Sequence, residues 1–220
     1  MAIKLHEEAE LHEDTLAFLE REQHKLLIGG EWVEAQGGAS FNVYDPATGE
    51  VIGQAAAAGK ADVDAAVRAA QEAFEPGSEW RTMTPQRRGE LLWKVADLIE
   101  AHARELAELD TIDNGKPYRN SYYGDIPQAI DHFRYYAGWT TKIEGSVIPV
   151  SVPNTLNYTK REPLGVCGLI IPWNFPLLMC AWKLAPALAC GNTTILKPAE
   201  QTPLSALRLG ELMMEAGFPD

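Results

Sequence analysis

The sequence predicts an α/β protein whose carboxyl-terminal part opens a parallel sheet, and three observations predict it. Leu164 to Ile171 is a continuous apolar run without alternation, as a strand covered on both faces requires, and Thr193 to Leu196 is a second. Leu178 to Ala189 lies between them with helical apolar spacing, and Pro203 to Glu215 follows as a second helix closed by Gly217. Strand, helix, strand, helix in that order gives parallel strands joined by right-handed crossovers.

The preceding elements divide the chain into three further stretches. Residues 1–24 are polar, with Leu11, Leu16, Phe18 and Leu19 at loosely helical spacing, and read as an arm or a short helix without chemistry. Residues 25–137 begin with short strands and turns between Leu26 and Ile52, where Gly29-Gly30 and Asp45-Pro46 mark reversals. Ala61 to Phe74 aligns Val63, Val67, Ala70 and Phe74 on one stripe of a helix. Thr84-Pro85 supplies a cap and a first-turn proline for the next, whose inward residues are Leu91, Leu92, Val95, Leu98 and Ile99. Leu106 to Ile112 continues helical and stops at Asn114-Gly115, and a further helix is expected from near Asp125 to Ala137 with Pro127 in its first turn.

Residues 138–162 change character. Val147, Ile148 and Val150 flank Pro149, and Thr155 to Arg161 alternates in polarity, so this stretch is expected to be an extended β-arm able to pair with another subunit. Residues 163–220 are the strand-helix unit, and the sequence reaches Asp220 where a third strand is expected to follow.

Composition narrows the function classes. The net charge of −12 opposes nucleic acid and anionic membrane surfaces, because both require clustered Lys and Arg. The longest apolar stretch falls well short of the ~20 residues that cross a bilayer, and Met1 to Asp14 resembles neither a signal nor a transit peptide, so the expected compartment is the cytoplasm. Cys167, Cys180 and Cys190 have no metal or redox spacing and are expected to be small buried hydrophobes. Gly53 to Lys60 has the wrong spacing for a phosphate loop, and no G-x-G-x-x-G, zinc-protease or serine-elbow motif occurs.

The chemistry concentrates at the carboxyl ends of the two parallel strands, where ligands bind in open α/β sheets. Ile171-Pro172-Trp173-Asn174-Phe175-Pro176 is a loop stiffened by two prolines, able to present the Asn174 amide as a neutral hydrogen-bond donor. An Asn capping the following helix is an equal reading of the same residues. Lys197-Pro198-Ala199-Glu200 ends the second strand. Its Lys can reach a phosphate or ribose hydroxyl and its Glu can accept from ribose hydroxyls, which favours NAD over a 2′-phosphorylated cofactor. The same two residues also read as a solvated surface pair. Phe175, Leu178, Met179 and Trp182 make an apolar face directly after Asn174, which is either core or the wall of a pocket for an apolar substrate.

Taken together, Glu162-Pro163-Leu164-Gly165-Val166, Ile170 to Pro176, Trp182 to Asn192 and Lys197 to Leu204 resemble the aldehyde dehydrogenase superfamily. The resemblance extends upstream through Ile28 to Val33, Asp45 to Glu50 and Asp113-Asn114-Gly115-Lys116-Pro117, so only the first two dozen residues lie outside it. It implies an incomplete Rossmann-like parallel sheet, NAD as cofactor with NADP also accepted by many relatives, and assembly as a homodimer or homotetramer through the arm at Gly145 to Lys160. It implies that Asn174 donates to the carbonyl oxygen as a cysteine thiolate attacks an aldehyde. It also implies that Lys197 and Glu200, with Ala199 between them, hold the adenosine ribose and that Ile170, Ile171, Pro172 and Trp173 wall the cofactor cleft. The sequence contains no G-x-T-x-x-G, E-L-G-G-K or G-Q-x-C, the segments that supply the rest of the cofactor turn, the general base and the nucleophile in that family, so these 220 residues alone are expected to be inactive.

Overall fold

The parallel pair that the apolar runs predict is present in the computed structural model, which describes residues 4–6 and 9–220. Strand β7 (Val166–Ile170) lies in register beside β8 (Thr193–Lys197), from Val166 opposite Thr193 to Ile170 opposite Lys197. Helix α8 (Pro176–Ala189) makes the crossover, and α9 (Leu204–Ala216) follows β8. One side chain pins the start of both strands. The Asn192 carbonyl oxygen accepts from Leu164 N at 2.7 Å and Gly165 N at 3.1 Å, and its amide donates to Ala187 O at 3.0 Å. Gly165, at φ +114°, takes a backbone conformation open to glycine, so a side chain there would be strained by the backbone itself.

Upstream, β1 (Lys4–His6) pairs with β2 (Ala9–Glu10), and α1 (Glu13–Leu19) follows. Two hairpins come next. Gly29 and Gly30, both at positive φ, turn β3 (Leu26–Ile28) back onto β4 (Glu31–Val33), while β5 (Ser40–Tyr44) pairs with β6 (Val51–Ala56). The helices are α2 (Lys60–Phe74), α3 (Glu79–Thr82), α4 (Pro85–Ala101), α5 (Ala103–Asn114), the short α6 (Tyr118–Asn120) and α7 (Ile126–Ala137). Thr84 caps α4 by accepting from Arg87 N at 3.2 Å, and Gly115 ends α5 in the left-handed conformation at φ +77°. A π-helical turn, Ser121–Asp125, joins α6 to α7 and has no counterpart in the sequence reading, since one widened turn leaves the apolar spacing on either side intact.

The main core is built where α4, α7, α8 and α9 meet, with Leu92, Ile99, Phe133, Leu177 and Leu209 fully enclosed. A smaller cluster joins α1 to the β5–β6 hairpin and α5 through Phe18, Val43, Leu109 and Leu204. The early arm is therefore partly core. Leu11, Phe18 and Leu19 are buried, and Thr15 Oγ1 donates to Glu108 at 2.6 Å, because few apolar residues suffice when they fall on one face.

Between Gly138 and Gly165, among the described residues, the pairing is an antiparallel bridge of Val147 with Tyr158, flanked by Ile148 N donating to Asn157 O at 3.0 Å and Thr159 N to Ser146 O at 2.8 Å, with no longer strand; Val147, Ile148, Val150, Val152, Leu156 and Tyr158 are exposed. The cysteines differ from expectation: Cys180 is buried, Cys167 is half-buried and Cys190 is exposed at the carboxyl end of α8. Burial raises the Cys180 thiol pKa far above its usual range.

Candidate active site

Because β7 and β8 are parallel and in register, both end on one edge of the sheet, and the loops after them start side by side. Ile171 N donates to Lys197 O at 3.2 Å, extending the ladder past β7, and Thr202 Oγ1 donates to Trp173 O at 3.4 Å across the two loops. Asn174 and the Lys197–Glu200 turn thus share the ligand-binding edge that the topology predicts.

Asn174 is exposed, and among the described residues its side-chain amide makes no hydrogen bond. The residue capping α8 is Phe175, with Pro176 at the first helical position, so Asn174 sits one place too early to cap the helix. Its amide is open to solvent. The backbone around it is held firmly. Trp173 O accepts from Asn114 Nδ2 at 2.7 Å, and Asn174 O accepts from Lys116 Nζ at 3.1 Å. Lys116 is ion-paired with Asp125 and lies 4.2 Å from the centre of the Phe175 ring.

Asn114, Lys116 and Asp125 are partners of the Asn174 loop that reading the sequence for secondary structure misses. Asn114-Gly115 is legible as a helix end, but which loop that end touches depends on tertiary packing. The one signal was the inclusion of Asp113 to Pro117 in the family resemblance.

On the neighbouring loop, Lys197 Nζ donates to Glu200 at 2.7 Å, both side chains are exposed, and this bond holds the Glu200 carboxyl below its usual pKa. The surface-pair reading is thus satisfied, and it leaves both groups accessible. They line a groove of about 760 Å³ that runs along β8 between α2, α9 and the β3–β4 hairpin. Most of its wall is apolar, including Ile28, Ala66, Ala69, Leu196, Met213 and Phe218. Where Lys197 and Glu200 line it, the groove suits an adenosine ribose: a cation and a carboxylate that can bridge hydroxyls, next to an apolar surface for a base.

The structure separates the other predicted residues. Ile170, Pro172 and Trp173 are exposed at the loop, but the Ile171 side chain is 3% exposed and packs in the main core, so it faces the helices rather than a cleft. Ala199 is buried and lines the groove beside Lys197 and Glu200. Leu178 is likewise 3% exposed and belongs to the core, whereas Phe175 and Trp182 are exposed and Met179 is half-buried. The helical stripe is therefore split, because Leu178 leans toward α4 and α7 while its neighbours lean outward.

Beneath the loop lies an acidic cluster. Asp110 is fully buried with its pKa pushed up to about 6 by burial, and Asp113 is raised further by burial and by Asp110. Asp113 accepts from Leu204 N at 3.0 Å, anchoring the start of α9.

Comparison with known proteins agrees with this architecture. The aldehyde dehydrogenase family profile matches residues 32–220. Retinal dehydrogenase 2 of Homo sapiens is 53% identical over 201 residues, 91% of this chain and 39% of that protein. Aldehyde dehydrogenase 1A1 of Macaca fascicularis is 52% identical over 195 residues, 89% of this chain and 39% of its own length. The solved NAD+ complex of an aldehyde dehydrogenase from Bacillus cereus superposes with a TM-score of 0.92 at 53% identity, covering 96% of this chain and 42% of that one. PnpE in complex with nicotinamide adenine dinucleotide gives 0.86 at 48% identity, over 90% and 40%. The chain thus spans about two fifths of the length of these relatives, as the amino-terminal portion of a larger aldehyde dehydrogenase. A parallel strand pair with its Asn loop and Lys–Glu turn on one edge, together with these matches, places the chain in the aldehyde dehydrogenase family.

Proposed function

We propose that the chain is the amino-terminal part of an oxidoreductase that converts an aldehyde to a carboxylic acid with NAD(P)+, and that it contributes one donor and one half of the cofactor site. The observation that carries this reading is the free Asn174 amide, held on the same sheet edge as Lys197 and Glu200. Asn174 donates to the aldehyde oxygen as negative charge builds there, a preorganised donor of the kind whose removal costs ~3 kcal/mol of transition-state stabilisation. Lys197 and Glu200 hold the adenosine ribose, with Ala199 packed beneath them, and Ile170, Pro172 and Trp173 border the cleft. NAD, when bound, supplies the hydride acceptor. Phe175, Met179 and Trp182 offer an apolar wall that suits an apolar or aromatic aldehyde.

The nucleophile is not assigned to Cys167, Cys180 or Cys190, since Cys180 is enclosed and none of the three stands in a G-Q-x-C segment. The cysteine that forms the thiohemiacetal and the glutamate that activates water therefore come from outside these 220 residues. Residues 163–220 serve as the first half of the dinucleotide unit. The exposed apolar arm at Gly145 to Lys160 serves in homodimer or homotetramer assembly. Among the described residues no helix is long and apolar enough to cross a membrane, and with the acidic charge this favours a cytoplasmic enzyme with small-molecule partners.

A second reading is a non-catalytic module that keeps the partial cofactor cleft or the assembly surface and acts by binding alone. Reading the gene beyond the codon for Asp220 separates the two: an open frame encoding the nucleophile and base supports the enzyme, and an immediate stop supports the module. In the extended enzyme Asn174→Ala is expected to lower kcat by about 100- to 1,000-fold, and Glu200→Ala to weaken discrimination against NADP. Unchanged kcat in the first variant overturns the role given to Asn174, and unchanged preference in the second overturns that given to Glu200.

A further inference from the structure

We propose that Lys116, fixed by Asp125 and assisted by Asn114, is the positioning device for Asn174. The argument starts from the peptide bond. A side chain leaves the backbone along a direction set by φ and ψ of its own residue, and those angles are set by the two planar peptide groups on either side. The carbonyl of the group before the Asn174 Cα is Trp173 O, and that of the group after it is Asn174 O. Asn114 Nδ2 holds the first at 2.7 Å and Lys116 Nζ holds the second at 3.1 Å. Both planes flanking one Cα are thereby pinned from outside the loop by two residues at the end of a single helix, with Thr202 Oγ1 making a longer second bond of 3.4 Å to Trp173 O.

The geometry of Lys116 leaves it little freedom to do anything else. Its side chain is 11% exposed and that of Asp125 is 8%, so the pair is shielded from water and its attraction is little screened. An ammonium has three donor directions. One meets Asp125, one meets Asn174 O, and the cation lies over the Phe175 ring, the residue after Asn174. Asp125 is delivered by the last position of the π-helical turn, a feature that recurs at functional sites. The left-handed Gly115 reverses the chain after α5 so that Asn114 and Lys116 reach the same loop. None of these contacts touches the Asn174 amide itself, which stays free for a ligand.

This inference rests on the reading of Asn174 as the carbonyl-oxygen donor, and its test separates the two. In the extended enzyme, kcat at saturating cofactor is measured for Asn174→Ala, for Asn114→Ala and for the paired change Lys116→Met with Asp125→Asn, which removes cation and carboxylate together. The last two are then repeated in the Asn174→Ala background. The expected result is a loss of roughly 10- to 100-fold in kcat for Asn114→Ala and for the paired change, no change in KM for NAD, and no further loss once Asn174 is Ala. A merely structural role would add its loss in both backgrounds. Undiminished kcat, or equal losses with and without Asn174, overturns the positioning role while leaving the donor role standing. Undiminished kcat in Asn174→Ala overturns both. If the paired change prevents folding, Asn114→Ala decides alone, since it deletes one hydrogen bond without stranding a buried charge.

Discussion

A neutral amide near the end of a strand is useful to a substrate only when the protein has not already claimed it. Asn174 meets that condition because Phe175 takes the cap of α8 and because Asn114 and Lys116 satisfy the neighbouring carbonyls. Its identity and its place in the loop were legible in the sequence, as were Lys197 and Glu200, because strand ends and prolines are local signals. The clamp behind it was not, since Lys116 and Asn174 are 58 residues apart and nothing in the spacing links them. Individual carboxylates tell a similar story. Asp110 is wholly enclosed, and the burial outweighs its neighbours Ser205, Lys116 and Leu177 N, so the protonated form is favoured. With a folded pKa of about 6 against 3.8, the folded state binds more protons than the unfolded state between those values. Stability from this group is therefore full below pH 3.8 and is lost as pH rises through about 6. Asp110→Asn is expected to stabilise the chain by about 1 to 3 kcal/mol at pH 7 and to be near neutral at pH 4. Urea midpoints at the two pH values check this, and destabilisation of equal size at both would refute it. His24 works in the opposite sense. Burial first, and Arg21 second, lower its pKa to about 4, so its contribution is full above 6.5 and is lost as pH falls toward 4.

Among elements, helix boundaries were the most legible feature. The Thr84-Pro85 start, the Gly115 stop and the two helices of the strand-helix unit fall within a residue or two of where capping chemistry and apolar period put them. What those signals could not supply is how closely the helices approach. Gly89 lies in the middle of α4, where Ala is ordinarily the better residue by ~1 kcal/mol. Here a Cβ would come 2.8 Å from Ala137 O and 2.9 Å from Thr140 Oγ1, and neither the backbone carbonyl nor the buried hydroxyl, itself bonded to Ala137 O at 3.1 Å, can easily withdraw. Overpacking of this kind costs about 1 to 3 kcal/mol and outweighs the propensity gain. Gly89→Ala is thus predicted to lower the urea midpoint of the chain, and a raised midpoint would show that α4 and α7 can separate without penalty.

For the whole molecule, the two-stranded sheet is the deciding feature. Both outer strands present unpaired backbone among the described residues, and the groove beside β8 is largely apolar, a combination that invites pairing with other chains. Purified residues 1–220 are expected to self-associate with rising concentration and to show no NAD-dependent aldehyde oxidation. Sedimentation velocity and a cofactor-absorbance assay check the two, and a monodisperse monomer or measurable turnover would count against them. The sequence by itself determined the α/β class, the parallel order of the last two strands, the helix limits and the residues presented at the strand ends, because each follows from local period, capping and chain direction. Only the tertiary structure decided that Ile171 and Leu178 turn into the core, that Phe18 anchors the early helix, and that Lys116 and Asn114 close on the peptide groups of Asn174. The physical reason is that such contacts depend on which distant surfaces are packed together, and packing is a property of the assembled core rather than of any stretch of chain.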